Sequence, residues 1–303
     1  MYVLTGTTGG LGSQVLKSLL KLVPPDQIVV SLYNPNSDAA TQIAALGVTV
    51  RHGDYSKPET LKRAFAGGKK LLLVSYPSIH DMERFNAHQA AIDAALEAGI
   101  EHIYYTSLAF AGDSVTAVMK AHIRTEAYLK SKNVKHTIIR EGIYSESISL
   151  YLGFFDPTFP NEETVIEIPG DGGIAWVAKA DLGAGTAKLL TLDKYAGRTV
   201  LLSGNKAYTV AETAALVGNV VNKQVTMRRV SKEKYIKNIE GRLGTDFAKL
   251  WVTTYDGLER GECATVDPLL ENLIGSLKPL EETMREMLLK KGEIESTVDQ
   301  YAK

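Results

Sequence analysis

The residues with the clearest chemical signature open the chain. Thr5-Gly6-Thr7-Thr8-Gly9-Gly10-Leu11-Gly12 follows directly on the apolar run Tyr2–Leu4, and Gly6, Gly9 and Gly12 give the spacing G-x-x-G-x-x-G. Between a strand and a helix this spacing suits a dinucleotide. The first glycine permits a tight turn, the second lets backbone approach a pyrophosphate, and the third lets the helix pack on the strand. The helix N-terminus adds its dipole and its unpaired N–H groups. The expected cofactor contacts here are Gly6, Thr8, Gly9, Gly10, Leu11 and Gly12. A glycine-rich turn that merely reverses the chain has the same composition. What separates the two is the strand–turn–helix context at the head of a βαβ series.

The second chemical position is the end of the next apolar run, Ser31-Leu32-Tyr33-Asn34-Pro35. An NAD site usually places an acid here for the ribose hydroxyl, and an NADP site an arginine for the 2′-phosphate. Neither is present. Tyr33 could stack on an adenine or pack in a loop, and Ser31 or Asn34 could donate to a phosphate. These residues leave the choice between NADP(H) and NAD(H) open. Further on stand Tyr128 and Lys132, the Tyr-x-x-x-Lys spacing in which lysine lowers the tyrosine pKa for acid–base work. By helical phase, Met119, His122, Ile123 and Glu126 share one face, with Tyr128 about 120° around from His122. His122 then has two readings: an acid whose tautomer Glu126 holds, or a core-edge histidine bonded to Glu126 one turn on.

These groups need a scaffold, and the first half of the chain supplies one. Short apolar runs alternate with longer helical patterns, which predicts parallel βαβ units. Strands are expected at Tyr2–Leu4, Ile28–Leu32, Val48–Arg51, Lys70–Ser75, Ile103–Thr106 and His136–Ile139. Helices are expected at 12–21, 58–66, 82–98 and 115–132. That is a six-stranded, doubly wound parallel sheet in an α/β protein. Beyond residue 145 the alternation breaks down. Phe154-Phe155-Asp156-Pro157 and Phe159-Pro160-Asn161 look like aromatic loops, and Val200–Ser203 and Val225–Val230 like strands. Thr209–Val221 reads as a helix with a Thr209/Glu212 capping box, and Leu280–Lys291 as an amphipathic helix before a polar end.

Composition limits the function classes. The chain has 303 residues, 34 Lys+Arg against 35 Asp+Glu, and 45% hydrophobic residues. At roughly 150 residues per domain, about two domains are expected. A net charge of −1 gives no broad attraction to nucleic acid. No apolar run approaches the roughly 20 residues of a spanning helix. Cys263 is the one cysteine, so neither a disulfide nor a zinc site through a second cysteine is expected, only a buried or half-buried thiol. No metal is expected. With no secretory leader pattern at the N-terminus, the expected location is cytoplasmic.

Several stretches together resemble the NmrA-like family of atypical short-chain dehydrogenases/reductases, its quinone- and triphenylmethane-dye-reducing branch above all. They are the Gly6–Gly12 turn, 50–55 (VRHGDY), 105–108 (YTSL), 122–126 (HIRTE), 139–145 (IREGIYS) and 274–277 (IGSL). The resemblance implies a Rossmann-type dinucleotide-binding domain over 1–145, with segments around 175–205 returning to it. A smaller C-terminal α+β lobe, mainly 146–303, would bind substrate. It implies NADP(H), with NAD(H) still allowed, and hydride transfer to a flat conjugated acceptor without metal or flavin. Carried over by position, Asp54 contacts the adenine, with Tyr33 and Asn34 nearby. Ser75 and Tyr76 line cofactor and acceptor. Ser107 sits near the nicotinamide, and Gly142 and Tyr144 close over it. His122 and Glu126 stand where the usual catalytic pair would be. Tyr76, Tyr144, Tyr151, Phe154 and Phe155 are expected to make the acceptor region aromatic. A small aromatic or quinone-like substrate is the expected partner, a homodimer is allowed, and neither nucleic acid nor membrane is expected. The competing readings are a dinucleotide-binding redox sensor without turnover, and a reductase of one polycyclic metabolite.

Overall fold

A computed structural model of the chain describes residues 1–155 and 162–289. They form two compact units. The first comprises Met1–Leu108, Lys120–Glu141 and Lys179–Leu202. Its strands are β1 (Tyr2–Leu4), β2 (Ile28–Leu32), β3 (Thr49–His52), β4 (Lys70–Leu73), β5 (His102–Leu108) and β6 (Lys135–Glu141). A seventh strand, Arg198–Leu202, pairs parallel with β6 and completes the order β3-β2-β1-β4-β5-β6-(198–202). The expected late strand at Val200–Ser203 therefore belongs to this sheet, which has seven strands rather than six. All its pairings are parallel. Val3, Val29, Leu71, Leu73, Ile103 and Ile138 are fully buried. Strands covered on both faces read as continuous apolar runs, and these do.

Five helices connect these strands: α1 (Gly10–Leu19), α2 (Asp38–Ala44), α3 (Pro58–Phe65), α4 (Asp81–Glu97) and α5 (Met119–Lys130). The helix Lys179–Leu190 packs on α1, and a Cβ on Gly183 would fall 2.5 Å from the Gln14 side chain, so close approach requires glycine there. Helix α2 escaped the sequence reading because seven residues are too few for a visible period. Its start is nonetheless encoded, since Ser37 accepts a hydrogen bond from the Ala40 N–H. The strand order turns between β1 and β4, the switch point at which open α/β sheets bind ligands beyond their carboxyl ends.

The second unit comprises Ala109–Met119, Gly142–Ala178 and residues from Ser203 onward. Residues 109–119, which the sequence reading leaves in the first domain, belong here. Strand Glu163–Ile168, not anticipated, pairs parallel with Gln224–Arg229. The helix Val210–Val221 carries the predicted capping box, with Thr209 accepting from the Glu212 N–H and Glu212 from the Thr209 N–H. Its core is aromatic. Tyr151 packs edge-on against Trp176 and Trp251, and Phe154 against Phe247 and Trp251. Tyr151, Phe154 and Phe155, expected in the acceptor region, are buried in this packing. The large apolar area of these rings is worth more packed together than facing water. The helix expected over Leu280–Lys291 is described over Leu280–Leu289. Asp156–Asn161 and the polar end lie outside the described residues.

Candidate functional site

The glycine turn is built by steric exclusion. Gly6 has φ +65°, in the left-handed region, and a Cβ on it would strike the Val74 side chain at 2.8 Å. A Cβ on Gly12 would fall 2.2 Å from the Gly6 carbonyl oxygen. The Gly9 N–H donates to that same oxygen at 3.0 Å, which closes the turn. Helix α1 begins at once, with no side-chain cap and no acidic residue in its first turn. First-turn N–H groups have no partner within their helix. Thr8, Gly9 and Gly10 are exposed, whereas Leu11 and Gly12 are buried beneath them. The Leu11 side chain thus serves packing, and the exposed Thr8 side chain and Gly9–Gly10 backbone are what the turn presents.

A residue that the sequence reading passed over completes this end. A Cβ on Gly10 would lie 3.2 Å from Lys179 Nζ, so the ammonium sits directly beside the start of α1. Two positive poles, a helix N-terminus and an ammonium, converge on one exposed turn. An anion between them is favoured by both. Buried Thr7 Oγ1 has no hydrogen-bond partner here. These residues fit a dinucleotide pyrophosphate. Nothing in the sequence flagged Lys179, which reaches Gly10 only because its helix packs on α1.

Beyond β2, Tyr33 is 74% exposed, so its reading as a packing residue is excluded. Ser31 is buried against Gly53, where a Cβ would fall 2.1 Å from its Oγ, and is not a phosphate donor. Asn34 is exposed, and its Oδ1 accepts from the Asn36 N–H at 3.0 Å. Asp54 is buried, and its Oδ1 accepts from the Ser56 N–H and hydroxyl at 2.9 and 2.7 Å. Those bonds hold its carboxyl below the ordinary carboxylate range. It shapes the turn after β3.

Behind β4 and β5 lies a buried polar network. His122 Nδ1 is 2.9 Å from the Tyr105 hydroxyl, and Arg84 Nη1 is 3.4 Å from its Nε2. An arginine only donates, so Nε2 accepts and Nδ1–H donates to Tyr105. Glu126 does not hold His122. Its Oε1 accepts from the Ser107 hydroxyl at 2.7 Å, and Arg140 reaches both carboxylate oxygens at 3.1 and 2.8 Å. The bidentate guanidinium and the hydroxyl outcompete a neutral imidazole for the carboxylate. Burial first, then the Arg84 charge, push the His122 pKa well below the usual histidine value. Burial thus favours the neutral imidazole, and Glu126, which both readings of His122 invoke, is bonded elsewhere. Tyr128 donates to Asp93 on α4, and Lys132 pairs with the same carboxylate at 3.1 Å. That pair is an α4–α5 tie.

Ser75 and Tyr76 follow β4 in this unit. Gly142 and Tyr144 belong to the second, where Tyr144 bridges to Val177. Arg84, His88, Tyr105 and Arg140 were missed by the sequence reading. His88 is a lone histidine in an alanine-rich helix, and Tyr105 and Arg140 stand in stretches that carry the family resemblance without a role of their own. Among the described residues no cluster of His, Cys, Asp or Glu could hold a metal ion, and no helix is long and apolar enough to cross a membrane.

Residues 2–286 match the NmrA-like family. This chain belongs to the NmrA-like family. Within it, the chain is 34% identical to quinone oxidoreductase 2 of Escherichia coli over 91% of this chain and 94% of that protein. It is 31% identical to the NmrA-like oxidoreductase flvB of Aspergillus flavus over 95% of each. Among solved structures, Citrobacter sp. triphenylmethane reductase complexed with NADP(H) matches with a TM-score of 0.84 and 32% identity, over 95% of this chain and 100% of that one. The E. coli NADPH-dependent quinone oxidoreductase complexed with NADPH matches with the same score and identity, over 95% and 99%. These NmrA-like relatives share the Rossmann-type sheet described above.

Proposed function

We propose that this NmrA-like protein is an NADP(H)-dependent reductase acting on quinones or comparably flat, conjugated acceptors, without metal or flavin. The observation that carries the reading is the exposed glycine turn. Its geometry excludes every side chain at Gly6 and Gly12, and two positive poles meet on it. Full-length likeness to reductases named for NADPH and NADP(H) supports the choice of cofactor.

When bound, the dihydronicotinamide supplies hydride to an electron-poor carbon. The chain's own part is to hold and to orient. The glycine turn and Lys179 take the pyrophosphate, Asn34 and Tyr33 stand at the adenosine end, and Ser75 and Tyr76 form the wall after β4. Ser107, whose proton is committed to Glu126, presents only lone pairs, so it accepts rather than donates. His122, neutral and bonded to Tyr105, orients the network instead of giving up a proton. Positioning then carries the catalysis, which suits an acceptor that needs little acid assistance. The protein is proposed to be cytoplasmic and to act without nucleic-acid partners, with a homodimer allowed.

The test is stopped-flow oxidation of NADPH and of NADH against quinones and cationic triphenylmethane dyes. Acceptor-dependent oxidation is expected. Tight dinucleotide binding without turnover on any acceptor would instead favour the redox-sensor reading.

A further inference from the structure

Three consecutive backbone N–H groups after β4 leave the sheet, and each is received by a buried side chain from a different element. Val74 N–H donates to Thr5 Oγ1, beyond β1, at 3.0 Å. Ser75 N–H donates to Thr106 Oγ1, on β5, at 2.9 Å. Tyr76 N–H donates to His88 Nε2, on α4, at 2.8 Å. This is why the strand stops at Leu73, although the apolar pattern runs on. The segment so held stands against the glycine turn, since Val74 occupies the space that a Cβ on Gly6 would need.

The histidine is the member of this trio whose role depends on its protonation. A backbone N–H can only donate, so Nε2 must be bare and Nδ1 must carry the proton. Nδ1–H is given to Thr125 Oγ1 at 2.8 Å, and the Thr125 hydroxyl in turn donates to the Ala121 carbonyl at 2.8 Å. One carbonyl of α5 thus sets the Thr125 rotor, the rotor sets the His88 tautomer, and the tautomer leaves a lone pair for Tyr76. His88 is fully buried, and desolvation holds its pKa down to about 3. It stays an acceptor across the working pH range.

We infer that His88 is a positioning residue of the dinucleotide site, its neutral imidazole locking the Ser75–Tyr76 wall against the glycine turn and tying that wall to α5. The inference rests on the cofactor reading above. A buried imidazole is costly unless both its nitrogens are engaged, and here the Tyr76 N–H and Thr125 Oγ1 engage them.

The experiment compares His88→Gln, which keeps an acceptor near the position of Nε2, with His88→Leu, which keeps bulk and removes the acceptor. Two quantities are read: the Tyr76 amide exchange rate by NMR without cofactor, and NADPH affinity by calorimetry. His88→Leu is expected to speed Tyr76 exchange at least tenfold and weaken NADPH at least tenfold. His88→Gln should hold both within about threefold of wild type. Thr125→Val, which leaves the imidazole but removes the partner of Nδ1–H, should weaken NADPH several-fold even if His88→Leu does not fold. NADPH affinity unchanged in His88→Leu or in Thr125→Val overturns the inference, as does a His88→Gln variant no better than leucine. Wild-type protein that fails to bind NADPH overturns the cofactor reading instead. Exchange at Tyr76 that leucine releases and glutamine restores would, in that same protein, leave the hold on the segment standing.

Discussion

At the scale of single residues, the site divides into backbone made accessible and side chains made unavailable. Gly9 is exposed with an ordinary negative φ, and a Cβ there meets only the Gly6 carbonyl oxygen, at 3.3 Å, which must give by a few tenths of an ångström. Gly9→Asp should therefore abolish NADPH binding, through bulk and negative charge at the pyrophosphate, with thermal unfolding close to wild type. Calorimetry beside a melting curve checks both halves. Lys179→Ala should weaken NADPH by roughly tenfold, about 1.4 kcal/mol, because one charge-assisted contact is lost. Equal affinity in Lys179→Ala would remove the ammonium from the site. His122→Ala should lower kcat on quinones only a few-fold and leave the pH profile unaltered. A loss of roughly a hundredfold or more would restore acid catalysis to the imidazole.

At the scale of elements, α5 is fastened to the sheet by charge and to α4 by hydrogen bonds. Glu126 is 4% exposed and is compensated by Arg140 of β6 and Ser107 of β5, with Lys130 Nζ 3.8 Å from its Oε2. Removing one partner of a buried pair strands the other, at about 3–5 kcal/mol. Arg140→Met should cost near the lower figure, since the arginine side chain retains 21% exposure. Adding Glu126→Gln should recover part of that loss in urea unfolding. A double variant no more stable than Arg140→Met alone would show that the carboxylate was never the liability. Helical phase anticipated which face of α5 turns inward. It did not anticipate the partners, because Arg140 lies on a strand and Ser107 on another, brought opposite Glu126 only by the pairing of β5 with β6.

At the scale of the molecule, buried titratable groups set how stability depends on pH. Burial holds His88 down to about 3 and His102 to about 4, so below pH 6.5 the unfolded chain takes up protons that the folded chain refuses. Their contribution is fully present above pH 6.5 and is lost as pH falls from there towards 3. Glu141 works in the opposite direction. Desolvation raises its carboxyl to about 8, only partly offset by the hydroxyl of Thr186 at 2.7 Å, and its Oε2 has no partner. The folded chain keeps that proton after the unfolded one has lost it, so stability falls as pH rises from 4.5 to 8. The two opposing slopes place maximum stability near pH 6.5. Melting temperatures across pH 4–9 should trace that maximum, and Glu141→Gln should flatten the fall above it and steepen the rise between pH 4.5 and 6.5.

What the sequence determined by itself was local and repetitive. The strands of the parallel sheet show as apolar runs because they are covered on both faces. The glycine turn shows because steric exclusion at Gly6 and Gly12 admits no other residue, and the Thr209/Glu212 cap because its bonds span three residues. The family resemblance drew on the glycine turn and on short stretches such as 105–108, 122–126 and 139–145. The tertiary structure decided whatever depends on elements far apart in the chain. It put Lys179 beside Gly10, turned Glu126 from His122 to Arg140, made Tyr151 and Phe154 core, and gave the Tyr76 N–H to His88. Such pairs have no spacing to betray them. A buried polar group must find a partner wherever the packing brings one, and the packing is fixed by apolar surface that carries no record of which polar atoms it will bring together.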